Sequence, residues 1–98
     1  MSLTASQQQS LQQLIEEECS VIEILQELRS AGQTPEQARE ALIGAIRQLA
    51  AVGQIEFFVD EFAAASTRAI SSDEALAQLE DAATWDMHNA TQLHVAKA

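Results

Sequence analysis

Leu11, Leu14, Ile15, Ile22, Leu25 and Leu28 recur close to the 3.6-residue period of an α-helix, and the glutamine-rich stretch that opens this run is polar but helix-forming. The spacing therefore predicts one long helix from Ser6 to the glycine after Ala31, kinked or shifted near Cys19, where Glu16-Glu17-Glu18-Cys19-Ser20 breaks the apolar stripe. Ser20 and Glu23 have the spacing of a capping box, so two shorter helices are the alternative. A continuous helix of about 25 residues would be about 38 Å long, more than a domain of this size needs to cover its core. Leu11, Leu14 and Ile15 would then lie beyond the core as an exposed seam for a partner helix, the alternative being that this half folds back across the wing and covers Phe58.

Gly32 marks a helix end, and Thr34-Pro35-Glu36-Gln37 supplies the cap, first-turn proline and box partner of the next helix. That helix, about Pro35 to Val52, aligns Ala38, Ala41, Leu42, Ala45, Ile46, Leu49 and Val52 on one face. Gly44 inside it reads as a point of close helix packing, and Gly53 as its left-handed stop. Ile55, Phe57 and Val59 then alternate with polar neighbours, the period of a strand buried on one face. Phe58 falls on the polar face and needs a covering segment or a partner. Ala63 to Ala69 reads as a loop. Ser71 to Ala83 reads as a short capped helix with Trp85 packed where it stops, and Thr91 to Ala98 as a closing strand.

The predicted fold class is α+β: two main helices, a short third helix and a two-stranded antiparallel wing, with an all-α bundle as the alternative. Its expected core is Ile22, Leu25, Leu28, Leu42, Ile46, Leu49, Ile55 and Phe57. Residues 1–5 read as a disordered end or an expression remnant and residues 6–98 as one domain.

The order of helix, helix, glycine, strand and returning strand resembles that of the winged-helix superfamily, and ILQELRSAG and REALIGAIRQLAAVGQIEF resemble its first and last helices with the strand-entering glycine. The segment IEFFVDE followed by AISSDEALAQLEDAATW and a last strand is similar to a small uncharacterised bacterial group of winged-helix-like proteins with a helix and a tryptophan inserted in the wing. Winged-helix domains are commonly transcription regulators, so the resemblance implies a DNA-binding regulator. A DNA reader needs two helices joined by a tight turn, and within Thr34 to Gly53 only Ile43-Gly44 could supply one. The expected reading helix offers Arg39 and Arg47 against Glu36 and Glu40, where a groove reader presents a basic face.

Charge points the same way. Fifteen acidic residues against five basic ones give a formal charge of −10, which repels phosphate backbones. Residues 1–34 carry five acids and one base, residues 35–53 two of each, and residues 54–98 eight acids and two bases. The amino end has neither the basic residues of a signal peptide nor an apolar span, and the lone Cys19 suits a reducing compartment, so a cytoplasmic protein away from membranes is expected.

No residues call for catalysis or a cofactor. Three glutamates precede Cys19 and disfavour its thiolate. Asp86, His88 and His94 could ligate a metal only if the fold brought them together, and Ser71 is explained by capping. The leading expectation is a protein-interaction or dimerisation module, a homodimer or the partner of another protein, acting through Leu11, Leu14, Ile15 and Phe58. A degenerate winged-helix transcription regulator and an acidic inhibitor of a basic or nucleic-acid-binding protein are the other readings.

Overall fold

The computed structural model describes residues 3–28, 33–61, 66–88 and 91–98. Among these the chain is α+β, with four α-helices and a four-stranded antiparallel sheet. The elements run α1 (Ala5–Glu16), β1 (Cys19–Ser20), α2 (Val21–Leu28), α3 (Pro35–Ala51), β2 (Ile55–Glu61), β3 (Ser66–Ile70), α4 (Ser72–Leu79), a 3₁₀ turn (Ala82–Trp85) and β4 (Thr91–Lys97).

The amino-terminal run is two helices, not one. Glu18 takes a left-handed conformation (φ 55°) that α1 cannot propagate through, and Ser20 accepts the Glu23 amide at 3.2 Å to start α2. Between them β1 pairs with β4, Cys19 opposite Val95 and Ser20 opposite His94. Residues 3–5 are also ordered by the fold: Leu3 is buried in the core, and Thr4 caps α1 through a reciprocal box with Gln7.

α3 is unbroken, so Ile43-Gly44 is no turn. Gly44 is also not a packing point, since a β-carbon there would meet nothing within 4 Å. α3 packs against α2, the helix before it in the chain. The box at Thr34 and Gln37 is present, and Gly53 ends the helix at φ 71°. Gly32 lies outside the described residues.

The two strands expected from the alternation, β2 and β4, pair directly and form the middle of the sheet, with order β1-β4-β2-β3. β3 occupies part of the stretch expected to be loop; its side chains alternate too weakly to announce a strand, and pairing with β2 selects the extended form. Ile55, Phe57, Val59, Leu93 and Val95 face the helices. α4 closes the core with Ala75 and Leu79, and Trp85 packs against it where the helix stops. Of the expected core, Leu25 and Leu49 are half-buried, while Ile22 is buried away from the main cluster.

Candidate interaction surfaces

The four residues proposed as an interaction surface do not share one. Leu11 and Ile15 are 2% and 1% exposed and belong to the core. Because the chain reverses at Glu18, α1 lies back against α2 and β4 instead of projecting past them, and its apolar stripe faces inward. Leu14 is half-buried in a groove between α1 and α2, among Ser10, Gln13, Glu16, Glu17 and Glu27. Phe58 is half-buried on the outer face of the sheet, flanked by Ala69 on β3 and His94 on β4. α1 therefore does not cover Phe58.

That outer face carries Glu56, Phe58 and Asp60 from β2 and Gln92, His94 and Ala96 from β4. The His94 Nε2 lies 3.7 Å from the Asp60 carboxylate. Asp86, in contrast, is turned to its own loop, where it accepts the backbone N–H of His88 at 2.9 Å. Among the described residues no three His, Cys, Asp or Glu side chains gather to hold a metal ion.

Glu36, Glu40, Gly44, Arg47 and Ala51 recur at helical spacing and form the exposed face of α3. Arg47 is ion-paired with Glu80, which caps the end of α4, so that residue supplies the counter-charge to one of the two arginines of α3. α4 packs beside α3, and Asp73 and Glu74 in its first turn are exposed.

Cys19 is half-buried on the core side of β1. Burial raises its thiol above the usual range, and Glu23, by charge and by hydrogen bond, with Glu17 and Glu27 by charge, pushes the same way. The thiol stays protonated and is a poor nucleophile. Ser71 is likewise engaged, accepting the Glu74 amide at 3.2 Å as the cap of α4.

A different groove lies between α1 and the carboxyl-terminal half of α3. Gln8, Gln12, Ala45, Gln48, Leu49 and Val52 line it above the buried Leu11, and none carries a charge. Sequence patterning missed this surface because it sought apolar stripes, whereas the groove is mostly amide and small aliphatic. Its signal was the lack of any charged residue from Ala5 to Ile15 and from Gln48 to Ile55 in so acidic a chain.

Among the described residues no helix is long and apolar enough to cross a membrane. No protein-family model, curated protein or solved structure matches the chain.

Proposed function

We propose that this is a cytoplasmic winged-helix-like module that acts by contact with protein, either a second copy of itself or another chain, and does not read nucleic acid. The winged-helix part is supported by the element order and by β4 returning between β1 and β2, with α2 and α3 as the helix pair of such a domain. The observation that carries the protein-contact part is the outer face of α3. A groove-reading helix meets phosphates with free cations; here Glu36 and Glu40 oppose them and Glu80 engages Arg47. The major groove, about 12 Å wide, admits one helix, and α4 lies against the helix that would enter.

The α2–α3 pair favours a second reading, a transcription regulator that kept its helix pair. Capture of fragmented genomic DNA by the intact protein at low salt separates the two. The protein-contact reading expects no enriched sequence, and recovery of a common motif would overturn it. Affinity capture from the native cell then reports whether another chain is bound. A basic partner whose retention falls steeply with salt would mark the acidic-inhibitor form of the reading. No catalytic role is assigned.

A further inference from the structure

We infer that two copies of this chain pair across the uncharged groove between α1 and α3, each Val52 seated in the other copy's groove. The inference rests on the reading of the chain as a protein-contact module and names its partner and its surface.

Electrostatics selects the place. Each copy carries −10, so two copies repel wherever carboxylates face one another. The groove of α1 and α2 presents Glu16, Glu17 and Glu27, and the outer face of the sheet presents Glu56 and Asp60. The α1–α3 groove brings none, so a like-charged molecule can approach there with the least Coulombic cost.

Chemistry selects the occupant. A two-fold interface sets each patch against itself, so its groups must complement their own copies. An amide does so because it both donates and accepts, and Gln8, Gln12 and Gln48 are exposed around the groove. An acidic or basic patch could not. Val52, 67% exposed where α3 ends, is one of two large apolar side chains left in solvent among the described residues. It stands at the rim of an open groove of about 260 Å³ floored by Leu11 and Leu49, which gives an aliphatic side chain from the other copy an apolar seat.

Sedimentation equilibrium of the full chain over a range of concentrations tests this, at salt from about 0.1 M to about 1 M, where the Debye length falls from about 10 Å to about 3 Å. The expected result is a dimer that tightens with salt, because salt screens the repulsion between the two bodies and there are no ion pairs across the seam to weaken. Val52→Glu and, separately, Gln12→Glu should each weaken it by about tenfold or more while far-UV circular dichroism stays that of the native fold, since each places a carboxylate in a buried contact. Both positions are exposed in the single chain, so either variant decides alone if the other folds poorly. A chain that is monomeric throughout overturns the inference, as does a dimer that ignores both substitutions or loosens with salt. A monomer leaves the protein-contact reading standing, because that reading falls only to the DNA capture.

Discussion

The side-chain amide of Gln7, on the first turn of α1, donates from Nε2 to the carbonyl of Leu28, the last residue of α2, at 2.6 Å. Its Oε1 accepts the Thr4 amide at 2.9 Å, so one buried glutamine completes the cap of one helix and satisfies an end carbonyl of another. Gln7→Leu keeps the volume roughly and removes these bonds, with a longer one to the Gln33 side-chain oxygen, leaving the buried Leu28 carbonyl unpaired. The expected loss is about 2 kcal/mol, read as a lower urea midpoint with an unchanged denaturant slope. A midpoint like that of the parent protein would show that water replaces the amide.

The two described glycines of the α3 region should answer an alanine in opposite directions. Gly44 is exposed in the helix interior, with open space where a β-carbon would stand, so Gly44→Ala should stabilise the protein by about 1 kcal/mol. Gly53 has the same open space but sits at φ 71°, and Gly53→Ala should cost about 1 kcal/mol from backbone conformation alone. Thermal unfolding of both variants beside the parent gives the two signs. Equal signs would contradict the assigned backbone.

Cys19 should react slowly with a disulfide reagent near neutral pH and faster after Glu23→Gln, because burial first, and Glu23 next, hold the thiol protonated. The same shift sets a pH dependence of stability. Between the thiol pKa of the unfolded chain, about 8.5, and the higher value in the folded protein, the unfolded state binds fewer protons, so stability falls as pH rises. The contribution is fully present below that window. Cys19→Ser should flatten the alkaline decline, and a decline identical in both proteins would remove the thiol as its cause.

Trp85 donates its indole N–H to the Leu79 carbonyl at 3.0 Å, and Thr84 donates its hydroxyl to the Gln78 carbonyl at 2.6 Å. Together they close the end of α4 onto the core, so this helix should unfold with the rest. Fluorescence of Trp85, the chain's one tryptophan, and far-UV circular dichroism should therefore share one urea transition. An earlier fluorescence change would mean that α4 and its turn open as a separate unit.

Local chemistry by itself determined much of this protein. Thr34, Pro35 and Gln37 begin α3 and Gly53 ends it through groups within a few residues of one another. The alternation around Phe57 and Val95 marked the two strands that form the middle of the sheet, since a period of two has no other use in a half-buried segment. Net charge and the mixed face of α3 were equally legible. Only the tertiary structure decided the rest. Ser20 and Glu23 signalled a helix start, but the signal competed with an apolar stripe that runs on through Leu28 at nearly helical period. The reversal at Glu18 prevailed because pairing β1 with β4 and laying α1 over the core buries Leu3, Leu11 and Ile15 together. The same packing took Leu11 and Ile15 from the expected seam and left Leu14 and Phe58 on separate surfaces. Periodicity states that a face is apolar; what it faces depends on contacts between residues far apart in the chain, and those exist only once the helices have folded against the sheet.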